Sequence, residues 1–216
     1  MMKLYGYWRS SASYRVRIAL NLKGVGYEYI PVNLREAEHR SPKYLAKNPQ
    51  GLVPMLELSD GSRLTQSLAI LDYLDGAFRS PDLLPKDSLK RAQIIALANI
   101  IASDTAPIQN LRVLKFIRGE YDQDDAGVKA WAAHWIADGL SKVEAMLSMD
   151  DYKFVVNQVP GYFECVLIPQ IYNGLRFGVD IADFPLIHAI NKKCSALPAF
   201  EKALPENQPD RMKSSS

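Results

Sequence analysis

Residues 3–24, KLYGYWRSSASYRVRIALNLKG, decide the fold. Lys3 to Tyr7 is short and rich in apolar and aromatic residues, the composition of a buried strand. Ser10 and Ser11 follow, and either hydroxyl suits the N-cap of a helix. From Ser13 to Lys23 neither Gly nor Pro interrupts the run, and Gly24 stands where a helix would end. The stretch therefore reads strand, turn, helix. Serine hydroxyls and unpaired N–H groups meet at the positive end of that helix, a place that favours an anion, including a thiolate.

Outward from this segment, Tyr27 to Val32 reads as a second strand. Pro31 places it at a sheet edge. Strand, helix and strand within about thirty residues make a βαβ unit, with a right-handed crossover expected. Ser41-Pro42 resembles an N-cap followed by a first-turn proline, so 41–46 is expected to be a short helix. Asn48-Pro49-Gln50-Gly51 signals a turn. The runs 52–58 and 62–65 flank Ser59-Asp60-Gly61 and read as an antiparallel hairpin. Ser67 is a candidate cap for a helix over 68–78, where Leu68, Leu71 and Leu74 repeat at helical spacing. The expected first domain, 1–80, is thus a mixed four-stranded sheet with helices on its faces. That is a thioredoxin-like architecture without a CxxC pair.

Residues 79–88 carry two prolines and no periodicity, with the linker placed at 81–88. Beyond it the sequence offers no convincing strand, so the fold class is α/β followed by an all-helical domain over 89–210. A helix over 89–118 should kink or restart at Pro107. A second spans 126–149, Pro160 opens a third, very apolar one containing Pro169, and two short ones follow at 185–196 and 198–204. The tail 211–216, ending KSSS, is expected to fray.

Bulk properties narrow the function classes. The chain has 216 residues, 48% hydrophobic and 23% charged, with a formal net charge of +2. That balance gives no push toward nucleic acid or membrane. No apolar run is long enough for a transmembrane helix, and no secretory h-region is seen near the N-terminus. Cys165 and Cys194 lack metal or redox spacing and read as buried free thiols in a reducing cytoplasm. The three histidines show no metal-ligand spacing, so no metal is expected.

Five strings then point in one direction. SSASYRVRIALNLKGVGYEYIPVNL (10–34), NPQGLVPML (48–56), LTQSLAILDYL (64–74), PIQNLRVL (107–114) and IPQIYNGLRFGVD (168–180) resemble, in order, segments of zeta-class glutathione transferases, the maleylacetoacetate and maleylpyruvate isomerases. The resemblance covers roughly residues 3–210. It implies the glutathione transferase fold, glutathione as cofactor, a homodimer, a cytoplasmic setting and a place in aromatic amino acid catabolism. Ser10 and Ser11 would lie nearest the sulfur as catalytic hydroxyls, without the string deciding which one donates. Val53-Pro54 matches the cis-proline site whose valine backbone pairs with the cysteinyl part of glutathione. Gln66-Ser67 matches the pair that holds the γ-glutamyl end, and Gln50 and His39 are candidates for the glycyl end. As residues, Gln50 and His39 read equally well as ordinary surface polar groups.

The substrates implied are dicarboxylic diketo acids or other small electrophiles. Arg9, Arg112 and Arg176 fall in the matching strings, and a guanidinium offers a bidentate fork to carboxylate. Salt bridges or solvated faces are the competing readings. Asn110 is a candidate substrate neighbour or a helix-packing residue. The implied reaction is cis–trans isomerisation by thiolate addition, bond rotation and elimination. Two alternatives are conjugation or dehalogenation of small electrophiles such as α-halo acids, and a non-catalytic binding protein like the stringent starvation proteins. The chain departs from the class pattern at three places. Ala12 stands where Cys is common, and Ala106 where His or Gln is frequent. Pro160-Gly161-Tyr162-Phe163-Glu164 replaces a Thr or Ser cap with Asp three residues later, leaving Gly161 without a side-chain acceptor.

Overall fold

The computed structural model describes residues 1–211; the KSSS tail lies outside the described residues. The opening stretch forms strand β1 (Met2–Gly6) and helix α1 (Ser11–Leu22), followed by β2 (Tyr27–Pro31). β1 and β2 run parallel, from Met2 opposite Tyr27 to Gly6 opposite Pro31. Helix α1 ends as the sequence predicts, with Gly24 in the left-handed region at φ +65°, where a Cβ would be disfavoured.

Helix α2 (Pro42–Leu45) starts at Ser41, whose Oγ accepts from Tyr44 N at 3.3 Å. Strands β3 (Met55–Glu57) and β4 (Arg63–Thr65) form the expected hairpin and precede α3 (Ser67–Ala77). The sheet order is β2-β1-β3-β4, with β3 antiparallel to β1. Pro31 is therefore on an edge, where a missing N–H breaks no inner ladder. The hairpin is shorter than expected because the Leu52 carbonyl accepts from Tyr44 Oη (2.6 Å) and Asn48 Nδ2 (2.8 Å) instead of a strand. Ser67 is not the α3 cap: Gln66 occupies that position without a capping side-chain bond.

Two compact units result. One joins Met1–Leu83 with the segment from Ser195 onward, and the other is Leu84–Cys194. This division differs from a helical domain over 89–210, because 195–210 returns to α1. There Asn21 Nδ2 donates to Ala199 O (2.9 Å) and Arg17 Nε to Ala203 O (3.0 Å). These carbonyls belong to α10 (Pro198–Ala203), which follows α9 (Pro185–Ser195). Lys23 closes the other end of α1. Its ammonium donates to Asp75 Oδ1 (2.9 Å) and to the carbonyls of Phe78 (2.7 Å) and Pro81 (2.6 Å). With all three donors used, the buried charge is matched.

The second unit is built from helices. α4 (Ser88–Asn99) runs into a π-helical turn (Ile100–Thr105), a 3₁₀ turn (Ala106–Gln109) and then α5 (Leu111–Glu120). Pro107 thus restarts the chain as its missing N–H requires, in the first turn of the 3₁₀ segment. In the π turn Thr105 Oγ1 donates to Ile100 O at 2.8 Å. Gly139, on α6 (Asp125–Leu147), makes room for this: a Cβ there would stand 2.1 Å from Thr105 Oγ1. After the short α7 (Lys153–Asn157), α8 (Tyr162–Phe177) is buried along most of its length. At its start Gly161 is the N-cap without a side-chain acceptor, as expected, and the Glu164 carboxylate accepts from Gly161 N at 2.7 Å. Cys165 and Cys194 are buried and are not joined in a disulfide. No described helix is long and apolar enough to cross a membrane.

Candidate active site

The loop from Tyr7 to Ser10 carries the first cluster of expected site residues. Ser10 is the N-cap of α1: its backbone is extended (φ −69°, ψ 118°) and its Oγ accepts from Ser13 N at 3.2 Å. Ser11 is then the first helical residue, so its hydroxyl and amide stand at the positive end of α1. The two serines, equivalent in the sequence, are separated by this assignment. The turn is closed by Ser10 N donating to Tyr7 O at 3.0 Å. Ala12 is half-buried beside Ser11. The Arg9 guanidinium lies over the Trp8 ring, 5.3 Å from its centroid.

Gln66 and Ser67 form a second cluster at the start of α3. Gln66 adopts φ +66° and ψ 116°, a left-handed backbone for a residue with a Cβ. Such a conformation costs about 1–3 kcal/mol and persists where the surroundings over-determine it. Here β4 holds the preceding residue, Thr65, opposite Met55. On the other side Ser67 is buried, and its Oγ accepts from Arg15 Nη1 at 3.2 Å. Gln66 is exposed, and the α3 N-terminus has no side-chain cap from it.

A third group, 48–54, joins the second. Gln66 Nε2 donates to Gln50 Oε1 at 3.2 Å. Asn48 shapes this loop by accepting from Gln50 N (3.1 Å) and donating to Leu52 O. Gly51, at φ +59°, packs so closely that a Cβ would meet the His39 carbonyl at 3.1 Å. His39, Gln50 and Gln66 are thereby brought to one region of the first unit. The Val53-Pro54 bond is cis. Val53 precedes the last pairs of both β3 ladders, so its backbone is not committed to the sheet.

The remaining candidates lie in the second unit. Asn110 caps α5, with Oδ1 accepting from Arg112 N (3.1 Å) and Val113 N (3.3 Å). Its acceptor is therefore engaged locally. Arg112 is exposed on α5. Arg176, near the end of α8, is exposed and anchored at its base: Nη1 donates to Asn173 Oδ1 at 2.8 Å. Asn173 Nδ2 in turn donates to Gln109 Oε1 at 2.7 Å, and Gln109 Nε2 faces Gln170 Oε1 at 3.5 Å. The charge on Arg176 fixes the direction of this buried amide chain, and the chain fixes one edge of the guanidinium.

Arg15, Gln109 and Asn173 were not singled out from the sequence. Arg15 and Arg17 carried a usable signal, two cations inside a run that is buried from Ser13 to Leu20. Gln109 and Asn173 carried none, because their partnership spans two distant helices.

The donor set in the first unit suits glutathione. Hydroxyl and amide donors at the α1 start fit a thiolate, and the α3 N-terminus with the Gln66 amide fits a carboxylate and ammonium. The uncommitted Val53 backbone fits a peptide.

Comparison with known proteins agrees. The family model "Glutathione S-transferase, N-terminal domain" matches residues 1–76. The chain is 43% identical over 211 residues to a maleylacetoacetate isomerase of Pseudomonas aeruginosa, covering 97% of this chain and 98% of that one. It superposes on a holo structure of a maleylpyruvate isomerase, described as a bacterial glutathione transferase of the zeta class. That TM-score is 0.91 with 41% identity, covering 96% of this chain and 99% of the other. A maleylacetoacetate isomerase of Methylobacterium extorquens AM1, solved with malonate and glutathione, gives 0.88 at 36% identity, covering 96% and 98%. Similarity of this extent over the whole length, on a first unit built to receive glutathione, means that the chain belongs to the zeta-class glutathione transferases, the family of the maleylacetoacetate and maleylpyruvate isomerases.

Proposed function

We propose that the protein is a glutathione-dependent cis–trans isomerase of maleylacetoacetate or maleylpyruvate. The observation that carries this reading is the α1 start, where Ser10 takes the capping duty and leaves Ser11 at the first helical position. Bound glutathione supplies the nucleophilic sulfur, which adds to and later leaves the conjugated double bond. The chain's own residues do the rest. Ser11 donates to the sulfur and, with the α1 dipole, favours its ionised form. Gln66 and the α3 N-terminus bind the γ-glutamyl end, the Val53 backbone the cysteinyl amide, and Gln50 with His39 the glycyl end. Arg176, its fork oriented by Asn173, receives a substrate carboxylate, with Arg9 and Arg112 as further cations. The substrate class is a dicarboxylic diketo acid. Family membership supports a homodimer. A reducing cytoplasmic setting is supported by two buried cysteines that form no disulfide.

The test is to mix purified protein with maleylpyruvate or maleylacetoacetate, with and without glutathione, and to follow substrate absorbance while assaying free thiol. The reading predicts acceleration that needs glutathione and leaves its concentration unchanged. No acceleration over buffer would sink it, and stoichiometric loss of thiol would point to conjugation instead.

A further inference from the structure

The segment 195–211 runs along α1 toward its N-terminus. Ala199 O meets Asn21, Ala203 O meets Arg17, and Asp210 reaches the loop that precedes the helix. At that loop the backbone of Trp8 is held on both sides by distant side chains. Trp8 N donates to Asp210 Oδ2 at 2.9 Å, and Trp8 O accepts from Arg17 Nη2 at 3.0 Å. Local bonds also shape the loop: Tyr7 N donates to Ser13 Oγ at 3.4 Å, and Ser10 N donates to Tyr7 O at 3.0 Å. Tyr29 Oη also donates to Asp210 Oδ2, at 3.3 Å.

We propose that Asp210, acting with Arg17, is a positioning residue of the thiolate site: the returning C-terminal segment clamps Trp8 and so sets where Ser11 and the α1 N-terminus stand. This rests on the Ser11 reading above. Ser10 and Ser11 lie two and three positions after Trp8, so a shift of the Trp8 peptide is transmitted directly to the cap. Helix-dipole stabilisation falls off within the first turn, and a hydroxyl donor works only at hydrogen-bond distance. A displacement of about 1 Å is therefore felt by the sulfur before it is felt by the fold. The arrangement is also electrostatically consistent. Burial pulls the Arg17 guanidinium down, while Asp210 is among the groups that oppose the loss of its charge. Burial first, and then Asp210, push the Tyr29 phenol up, so it remains a donor. Asp210 Oδ1 and Arg17 Nη1 are buried without a hydrogen-bond partner among the described residues. A group that reaches Trp8 at this desolvation cost is placed for its hydrogen bond to that peptide rather than for general solubility.

The experiment compares the parent with Asp210→Ala, Asp210→Asn and Asp210→Glu. Read-outs are glutathione affinity, the pH midpoint of the bound-thiolate ultraviolet absorbance, and kcat. Asp210→Ala is expected to raise the pH midpoint and lower kcat about tenfold. Glutathione affinity should stay within about twofold, because Gln66, Ser67 and Val53 are untouched. Asp210→Asn keeps an acceptor for Trp8 N and is expected to restore most of both. Asp210→Glu keeps the charge but alters the reach, and should behave like Ala; it serves the same comparison should Ala not fold. A parental pH midpoint and kcat in Ala and Glu, even with a lowered Tm, would overturn the proposal and leave Asp210 a structural tie. If Ser11→Ala leaves the parent's thiolate absorbance intact, the Ser11 assignment fails instead, so the two failures are separable.

Discussion

Ser10 and Ser11 illustrate how one position along a helix decides a role. A cap residue has an extended backbone and lends its oxygen to an amide ahead of it, as Ser10 does for Ser13. The next residue, Ser11, is already helical and is not the cap. Ser10→Ala should therefore cost about 1 kcal/mol, lowering Tm by roughly 2–4 °C, with turnover largely kept. Ser11→Ala should leave Tm nearly unchanged and reduce turnover about a hundredfold, the usual effect of removing one donor to a developing or resident anion. Thermal melts and the isomerase assay on the two variants check both; the opposite pattern would exchange the roles. Gln66 belongs to the same scale. Its positive φ had no local warrant in the sequence, because the strain is imposed by β4 on one side and by the Arg15–Ser67 bond on the other. Local propensity alone favours Ser67 as the cap.

At the scale of elements, the start of α8 shows one half of a reciprocal cap. Gly161 offers no side chain to the first-turn amides, while Glu164 reaches back to the Gly161 N–H. The carboxyl is buried, and that burial raises its pKa above the ordinary 4.5, outweighing the hydrogen bonds from Gly161 and its own backbone, which lower it. The sign follows. The folded protein holds this proton more tightly than the unfolded chain, so the group's contribution is fully present below pH 4.5 and is lost as pH rises through the folded value. Lys193 partly offsets the loss, and Cys194, pushed up by burial and then by Glu164, stays a thiol. Glu164→Gln keeps the acceptor for Gly161 and removes the buried charge. It should be more stable than the parent at neutral pH, with a Tm advantage that shrinks as pH falls toward about 4. Melts across that range check this, and parallel curves for the two proteins would contradict it. Elements whose limits come from their own residues were legible: Gly24 ends α1, Pro31 marks an edge, and Pro107 restarts a helix. The shortened hairpin was not, because its limit is set by Tyr44 and Asn48 taking the Leu52 carbonyl.

For the whole molecule, the chain's last described residues belong with its first. The sequence shows two short helices after Pro185 and nothing that says the second leaves the helical unit. What returns it to α1 is a set of single bonds from Asn21, Arg17 and Trp8 to carbonyls and one carboxylate far along the chain. Only the presence of arginine in a buried helix hints at such bonds beforehand. The glutathione site was legible for the opposite reason, since its parts lie within short motifs whose order is that of the family. The central claim is that this fold presents the α1 start, through Ser11, to a glutathione sulfur and holds it as thiolate. The most direct measurement is the ultraviolet difference absorbance of protein saturated with glutathione, titrated with pH. The account predicts a thiolate signal with a midpoint below the ordinary thiol value of about 8.5, moving back toward it in Ser11→Ala. A midpoint for the parent at or above that value would contradict it.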